Sequence, residues 1–448
     1  MSVSVVGLGK LGAPLAACLA SKGFEVIGVD INDDYIAAIN EGRAPVFEPG
    51  LDELIEASAD RLSATKVHRD AVLRSDATFI LVPTPSQVDG SFTKRFVIEA
   101  TREIGAALRD KDGYHLVVVT STVMPGTTQE EVIPLLEESS GKRCGVDFGV
   151  CYNPEFIALG SVIRDMLNPD AVLIGQSDDR AGDVLEAIYR RLCDNDPPVS
   201  RMNLVNAELT KLSVNTFVTT KITFANLVAR LCERLPGGDV DVVTSALGLD
   251  SRIGRKYLTG AVGYGGPCFP RDNKALSWLI ESLGMPATLA RATDAANAEQ
   301  IPLLTGVVLG ALPENGVVGV LGLSYKPDTD VVECSQGVLL ARELSGRGID
   351  VIAFDPAALE GARKLLQETS VRLAPNLEET VEKADVVVVV TPWSEFVSMP
   401  VQAFAREGRP RVVIDCWRAL DGEKIAGVAR YVPLGVGPAD AADTEGGR

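Results

Sequence analysis

The sequence predicts an α/β fold with two Rossmann-like, doubly wound domains, joined by a long central helix and a helical dimerisation region. The N-terminal segment reads as strand, glycine-rich turn, helix and strand, and a similar layout returns in the last third of the chain. Between the two copies, residues 206–235 contain no Gly or Pro and have helical periodicity.

Composition and charge limit the classes of protein to which the chain can belong. The 448 residues are 46% hydrophobic and 23% charged, which is typical of a globular chain of two or three domains. Neither a long apolar run nor a basic leader is present, so we expect no membrane partner and a cytoplasmic location. A formal net charge of −18 argues against nucleic acid as a partner. The cysteines are scattered and the two histidines isolated, so no metal site is expected.

The first element is a dinucleotide-binding signature. Gly7, Gly9 and Gly12 form a GxGxxG turn between an apolar strand and a helix, and Asp30 ends the second strand. These glycines permit a tight turn, close approach of a pyrophosphate and helix packing, while the acid binds ribose hydroxyls and disfavours a 2′-phosphate. The pattern predicts NAD rather than NADP; the alternative is a purely structural glycine turn.

Two further buried strands end in small hydroxyl residues and proline. They are the runs Ser75–Ser86 and His115–Thr127. The carboxyl ends of parallel strands line a ligand crevice, so Thr84, Ser121 and Thr122 are candidate cofactor contacts by position. The alternative is that these small residues simply mark the ends of the strands.

An internal repeat sets the domain organisation. Residues 346–355 (GRGIDVIAFD) match residues 21–30 (SKGFEVIGVD), and residues 384–392 match the strand near residue 80. The glycine turn of the second copy is degraded, so we expect it to bind something other than a dinucleotide. The predicted division is a first Rossmann domain over residues 1–200, a central helical dimerisation domain over 201–305, a second Rossmann-like domain over 306–435 and a disordered tail over 436–448.

The central helix carries two polar candidates. Lys211 and Asn215 are four residues apart, so they share a face on which a lysine and an amide could clamp a substrate or an oxyanion. The alternative is a solvated lysine beside an ordinary helix asparagine. A helix this long buries its apolar stripe partly against a partner, so a homodimer is expected.

The run GYGGPCFPRD, residues 263–272, places one thiol among glycines and charged groups. Arg271 and Lys274 favour the thiolate of Cys268, which is the reactive form of a cysteine. Cys268 is therefore a candidate nucleophile; the alternative is a cysteine that fills a small apolar space.

The ordered motifs resemble those of the UDP-glucose/GDP-mannose dehydrogenase family, over nearly the whole chain to about residue 420. They are GLGKLGAPLA, VFEPGLDELI, LVPTPS, TSTVMPGT, YNPEFIALGS, ELTKLSVNTF, DSRIGRKYL, GYGGPCFPRD and LGLSYKPDTD. The resemblance implies an NAD-dependent, four-electron oxidation of a nucleotide-sugar C6 hydroxyl. The PEF and CFP segments are similar to the UDP-glucose branch, so a UDP-sugar is the expected partner.

The resemblance also implies the catalytic roles. Cys268 captures the aldehyde as a thiohemiacetal and then forms a thioester. Lys211 and Asn215 stabilise oxyanions and contact the sugar, and Asp272 holds or activates water. Glu155 and Thr122 are implied to take part in acid–base chemistry, to position water and to contact the cofactor. Glu155 is also implied to contact the substrate.

Further substrate contacts follow from the same likeness. Arg252 resembles an arginine that reaches across the dimer, and Tyr325 and Lys326 resemble contacts of the C-terminal domain. The remaining implied contacts are Tyr257, Gly263, Gly265, Gly266 and Arg418, the three glycines forming a loop around the sugar.

The sequence departs from the family after KPDTD. The family commonly reads D.RESP there, whereas this chain reads VVECSQ, which puts Glu333 where an arginine is usual. Three alternatives therefore stay open: the same chemistry on a UDP-N-acetylhexosamine or GDP-mannose, a two-electron dehydrogenase, and a catalytically silent binding protein.

Overall fold

The computed structural model describes residues 1–438, which fall into two compact units. The first unit ends at Val214 and the second begins at Asn215, inside one continuous helix. The three-domain division stays a prediction. In the expected tail, Val436 forms a β-bridge with Asp239 and the Pro438 carbonyl accepts a hydrogen bond from Gly237, so these residues are held by the chain. The rest of that tail lies outside the described residues.

The first unit is built on an eight-stranded sheet. Its strands are β1 (Ser2–Val6), β2 (Glu25–Val29), β3 (Leu62–Thr65), β4 (Ala77–Ile80), β5 (His115–Val119), β6 (Phe148–Tyr152), β7 (Val172–Gln176) and β8 (Val199–Asn203). The order is β3-β2-β1-β4-β5-β6-β7-β8. All neighbours are parallel except β6 and β7, and the first six strands have the order of doubly wound dinucleotide folds.

Helices cover both faces of this sheet. They are α1 (Gly12–Ser21), α2 (Asp33–Asn40), α3 (Leu51–Ala57), α4 (His68–Arg74), α5 (Arg95–Leu108), α6 (Ile133–Ser140), α7 (Val162–Leu167), α8 (Asp179–Leu192) and α9 (Leu204–Cys232), with a π-helical turn at Thr128–Val132. Val3 and Val5 of β1 join the core that contains α1, whereas Val6 joins the core that contains α5. The alternation along the strand thus gives the sheet one apolar core on each side.

The second unit contains a six-stranded, all-parallel sheet. Its strands are β9 (Val317–Leu321), β10 (Asp350–Phe354), β11 (Arg372–Leu373), β12 (Val386–Val389), β13 (Val412–Asp415) and β14 (Arg430–Pro433), in the order β11-β10-β9-β12-β13-β14. Its helices are α10 (Val240–Gly248), α11 (Phe269–Ser282), α12 (Thr288–Ala298), α13 (Gln300–Ala311), α14 (Gln336–Gly346), α15 (Leu359–Leu366), α16 (Leu377–Lys383), α17 (Ser394–Val397) and α18 (Gly422–Ala426), with a 3₁₀ turn at Val401–Phe404. The predicted pair of Rossmann-like sheets is confirmed.

The second glycine turn is expanded rather than lost. Gly322 follows β9 with φ +100°, as Gly7 follows β1 with φ +95°. A Cβ on Gly337 would lie 1.9 Å from the Gly322 carbonyl oxygen, and a Cβ on Gly12 would lie 1.7 Å from that of Gly7. Both domains therefore keep the tight turn and the close helix contact, but the second inserts a longer loop between them.

Helix α9 matches the long helix predicted from residues 206–235. It has 29 residues, which corresponds to about 43 Å at the rise of an α-helix. Phe217, Phe224, Leu227 and Leu231 are exposed apolar side chains along it. The helix therefore leaves an apolar stripe unpartnered within the described chain.

Candidate active site

The first glycine turn has the geometry of a dinucleotide-binding loop. A Cβ on Gly7 would lie 2.6 Å from the Leu81 carbonyl oxygen, so the turn passes close to the end of β4. A Cβ on Gly9, by contrast, would meet no described atom within 4 Å. Gly7 and Gly12 are thus required by packing, while Gly9 faces open space at the start of α1, where a pyrophosphate would approach the backbone. The residues present fit a bound dinucleotide.

Asp30 lies where β2 ends and holds this loop. Its carboxylate accepts hydrogen bonds from the Leu8 N–H at 2.6 Å and from the Asn32 N–H at 2.8 Å. Each carboxylate oxygen retains a further lone pair, so Asp30 can also accept from a ribose hydroxyl. That contact stays a prediction.

The other expected cofactor contacts lie at the carboxyl ends of β4 and β5. Ser121 donates to the Val82 carbonyl at 2.7 Å and so ties the two strand ends together. Thr84 is almost fully buried and Thr122 half-buried. The positions agree with the crevice expected from parallel strands, and their contact with NAD stays a prediction.

Glu155 and Lys211 are brought together in the first unit. The Lys211 ammonium, on α9, donates to the Glu155 main-chain carbonyl at 2.6 Å and lies 4.8 Å from the centroid of the Phe156 ring. Its side chain is buried, so this cation is held at a fixed place in the loop after β6 rather than solvated.

The Glu155 carboxyl is held by Tyr189, which the sequence did not point to. The Tyr189 hydroxyl lies 2.7 Å from Glu155 and 2.6 Å from the side-chain oxygen of Asn153. The Asn153 amide nitrogen donates to the Leu173 carbonyl, so its oxygen faces the tyrosine. A phenol has a single proton, and both contacts are hydrogen bonds only if Glu155 carries a proton of its own. Burial raises the pKa of Glu155, which favours this neutral form.

The second unit contains the candidate nucleophile. Cys268 is exposed and occupies the N-cap position of α11. Its carbonyl accepts the N–H of Asp272 at 2.8 Å, so the two residues are one helical turn apart. The positive end of a helix favours an anion, so this position favours the thiolate.

Asp272 and Asn215 form the polar base of this group. The Asn215 amide donates to the fully buried Asp272 carboxylate at 2.5 Å, and Arg271 pairs with the same carboxylate at 3.2 Å. Arg271, which the sequence suggested as a thiolate partner, is thus engaged by Asp272. The helix start is a further source of positive potential at Cys268.

The three glycines before Cys268 let this loop pack against the segment that follows β9. A Cβ on Gly265 would lie 2.3 Å from the Cys334 carbonyl oxygen, and one on Gly266, where φ is +82°, would lie 2.6 Å from the Tyr325 ring. A Cβ on Gly263 would lie 2.7 Å from the Gln336 amide oxygen. Their missing side chains therefore face protein, and a contact with sugar would use their backbone.

The remaining residues predicted to contact the substrate differ in their exposure and in their side-chain partners. Arg252 is highly exposed and pairs with Asp250 at 2.6 Å. Tyr257 is half-exposed, with φ +66°, and packs edge-on against Phe269. Lys326 is half-buried beside Tyr325. Their substrate contacts stay predictions.

Arg418 serves the fold in this structure. Two of its N–H groups bind Asp241, at 2.7 and 3.1 Å, and the others donate to the carbonyls of Thr259, Gly260 and Leu434 at 2.9 Å. These contacts use all five donors of the guanidinium. Arg418 therefore ties the β13–α18 connection to the central helices, and the substrate contact that the resemblance implies stays a prediction.

Within residues 1–438, no group of three His, Cys, Asp or Glu side chains is placed to hold a metal ion. No helix in that range is long and apolar enough to cross a membrane.

Three family models match the chain. They describe the UDP-glucose/GDP-mannose dehydrogenase family: its NAD binding domain matches residues 1–193, its central domain residues 205–299 and its UDP binding domain residues 319–422.

Curated relatives and solved structures agree with these models. The chain is 38% identical to the UDP-glucose 6-dehydrogenase AglM of Haloferax volcanii, over 93% of this chain and 96% of that protein. It is 37% identical to a GDP-mannose 6-dehydrogenase of Pseudomonas aeruginosa, over 87% and 91%. A UDP-glucose dehydrogenase structure from Pyrobaculum islandicum superposes with a TM-score of 0.87 at 37% identity, covering 97% of this chain and 98% of that one.

Proposed function

Since the chain belongs to the UDP-glucose/GDP-mannose dehydrogenase family, whose members are NAD-dependent nucleotide-sugar 6-dehydrogenases, we propose that it oxidises UDP-glucose to UDP-glucuronate. The observation that carries the proposal is the exposed Cys268 thiol at the start of α11, one turn from buried Asp272. A thiol in that position suits the four-electron reaction, which needs a nucleophile to capture the aldehyde.

The chemistry divides into two oxidations and one hydrolysis. NAD, when bound, accepts a hydride from the substrate carbon in each oxidation. The first oxidation converts the C6 alcohol to an aldehyde, and the Cys268 thiolate adds to its carbon to give a thiohemiacetal. The second oxidation gives a thioester, and attack by water releases the carboxylate and returns the thiolate. One sugar is therefore consumed for two hydrides transferred.

The proposed roles of the other residues follow from their surroundings. The buried Lys211 ammonium supplies fixed positive charge for an oxyanion, and Asn215 supplies an amide donor. Asp272, a buried carboxylate held by Asn215 and Arg271, is suited to hold the hydrolytic water. Glu155, whose pKa is raised by burial, is suited to donate a proton.

The identity of the sugar, UDP-glucose, is the most specific part of the proposal. Its support is the identity to the Haloferax enzyme and the likeness to the Pyrobaculum structure, while the Pseudomonas GDP-mannose enzyme is almost as similar. GDP-mannose and UDP-N-acetylhexosamines are therefore the competing substrates.

The test is a panel of UDP-glucose, GDP-mannose and UDP-N-acetylglucosamine assayed with NAD and with NADP. We expect two NADH per UDP-glucose consumed and little activity with NADP. One NADH with free aldehyde would identify a two-electron dehydrogenase instead, and no NADH with any sugar would indicate a binding protein. Preference for another sugar at two NADH would retain the chemistry and correct the substrate.

A further inference from the structure

A cavity of about 310 Å³ lies within the second unit. Helices α9 and α13 form its long walls, and Ala261, Val262, Gln336 and Leu434 complete them. None of the residues predicted to bind NAD or the nucleotide sugar lines it. The cavity is therefore distinct from the predicted NAD and nucleotide-sugar contacts.

Two buried polar atoms of the cavity wall find no partner among the described residues. One is the Gln336 amide oxygen and the other is Nε of Arg230. Gln336 is only 7% exposed, so its oxygen is shut away from bulk water. A buried polar atom without a hydrogen bond is costly, so the site favours an occupant that donates to Gln336 and accepts from Arg230.

The charge and the apolar surface of the wall narrow the occupant further. The charged lining residues are Arg230, Arg234 and Glu233, and Arg230 also pairs with Glu299 at 3.4 Å, so its unpartnered Nε is the donor that remains for an acid. Glu233 already accepts the Gly435 N–H at 2.9 Å. Most of the remaining wall is apolar, including Ile301 and Leu304. We propose that this cavity binds a small organic acid that has an apolar body and a hydroxyl group, with the acid on Arg230 and the hydroxyl on Gln336.

Most of the cavity wall on α9 lies on the side of the helix away from the exposed stripe. At about 100° per residue, Phe217 and Asn226 lie on opposite sides of the helix, as do Leu231 and Ala229. Phe217 and Leu231 are exposed, whereas Asn226 and Ala229 line the cavity. Arg230 follows another stripe residue by three positions and so lies beside the stripe, which means that a second copy would border the cavity at Arg230 without covering the wall at Asn226 and Ala229.

The cavity adjoins the loop that leads to Cys268. Val262 lies in the wall, and the next residue, Gly263, would place a Cβ 2.7 Å from the Gln336 amide oxygen. An occupant that binds Gln336 would therefore hold the side chain against which this loop packs. We expect occupancy to change kcat without competing with the nucleotide sugar.

Calorimetric titration with 4-hydroxyphenylacetate tests the site directly. Phenylacetate lacks the hydroxyl and tyramine replaces the acid with a cation, so both should bind at least about 10-fold more weakly. Gln336→Leu and Arg230→Met should each weaken 4-hydroxyphenylacetate by roughly 10-fold or more, and Leu304→Trp, which fills the cavity, should abolish binding. Matched surface variants Gln367→Leu and Arg347→Met should bind like the wild type.

Absence of binding to the wild-type protein, or equal affinity in the lining variants and the wild type, would overturn the proposal and leave the cavity to water. Tyramine binding as tightly as the acid would overturn the assigned charge. Wild-type kcat that stays constant as the acid saturates the site would overturn the coupling to the loop. The titration needs no nucleotide sugar, so its result is independent of the proposed dehydrogenase activity.

Discussion

The Cys268 thiol depends on its place in the chain more than on the cations next to it in sequence. Arg271 binds Asp272 in the structure, while the thiol lies at the N-terminal end of α11. Backbone N–H groups at such an end supply positive potential without a side chain. The proposed nucleophile is therefore sensitive to the fold of the loop and helix around it.

Replacing this thiol should separate the two oxidations. In Cys268→Ser we expect the first hydride transfer to persist but no uronate to form, because an alkoxide is a poorer leaving group than a thiolate. Quenched-flow NADH measurements with mass spectrometry of the sugar product check this. Cys334→Ser, a second exposed cysteine in the same unit, is the control. Normal uronate flux in Cys268→Ser would contradict the nucleophile role.

Lys211 should matter more to the transition state than to binding. Removing a donor aimed at a developing oxyanion typically lowers turnover by roughly 10² to 10³. Lys211→Ala should therefore reduce kcat by about that factor and change KM for the sugar little, as measured by steady-state kinetics. Lys364→Ala, on the exposed face of α15, is the control. A large rise in KM at unchanged kcat would place Lys211 on the diphosphate instead.

The raised pKa of Glu155 has a consequence for stability. Folding takes up a proton at this carboxyl between its usual pKa and its raised one, so its contribution to stability is present at low pH and is lost as pH rises through the raised pKa. Glu155→Gln mimics the neutral form, and its Tm should fall less than that of the wild type between about pH 4.5 and neutrality. Thermal melts of both proteins across this range, with Glu343→Gln as a surface control, measure the difference. Parallel Tm curves would show that the pKa of Glu155 is not raised in the folded protein.

At the scale of elements, local patterns predicted most of what the structure contains. Strands β1 and β2, their counterparts β9 and β10, and the long helix α9 were all visible, because turn glycines and hydrophobic periodicity act over a few residues. The expanded second glycine turn was not predicted, because the loop that separates Gly337 from Gly322 has no recognisable sequence pattern.

The parts of the site that the sequence missed are contacts between distant positions. Tyr189 reaches Glu155 from 34 residues away, and Arg418 reaches Asp241 from 177 residues away. Neither pair belongs to a motif, and side-chain partners of this kind are set by how elements pack. The candidate site residues could therefore be named from the sequence, but the side chains that hold them in place could not.

The packing of the glycine loop can be tested at Gly266. Gly266→Ala adds a Cβ 2.6 Å from the Tyr325 ring at a positive φ, which costs about 1–2 kcal/mol for the backbone alone. We expect a lower Tm and a loss of turnover, because the loop bearing Cys268 must shift. Gly346→Ala is the control, since a Cβ there meets no described atom within 4 Å. A Gly266→Ala protein with wild-type Tm and kcat would show that the loop adapts freely.

At the scale of the whole molecule, the apolar stripe of α9 is the surface on which a partner is expected. Phe217 is 66% exposed and Leu231 52% exposed, on the helix face opposite the cavity. Exposed apolar surface of this kind marks an interface, and a second copy of the chain is the partner that the sequence predicts. Arg252, 86% exposed on its side chain, is the residue expected to reach a partner's substrate.

Phe224→Glu puts a charge into the middle of this stripe and should prevent the dimer that the sequence predicts, because a buried unpaired carboxylate opposes association. Light scattering after size exclusion measures the mass, and Leu365→Glu, on an exposed face of α15, is the matched control.

If Arg252 completes the partner's site, turnover should fall together with the dimer, and Arg252→Ala should lower turnover in a protein that is still dimeric. A Phe224→Glu protein that stays dimeric would place the interface elsewhere. A fully active monomer would instead leave Arg252 paired with Asp250 within its own chain and without a role in catalysis.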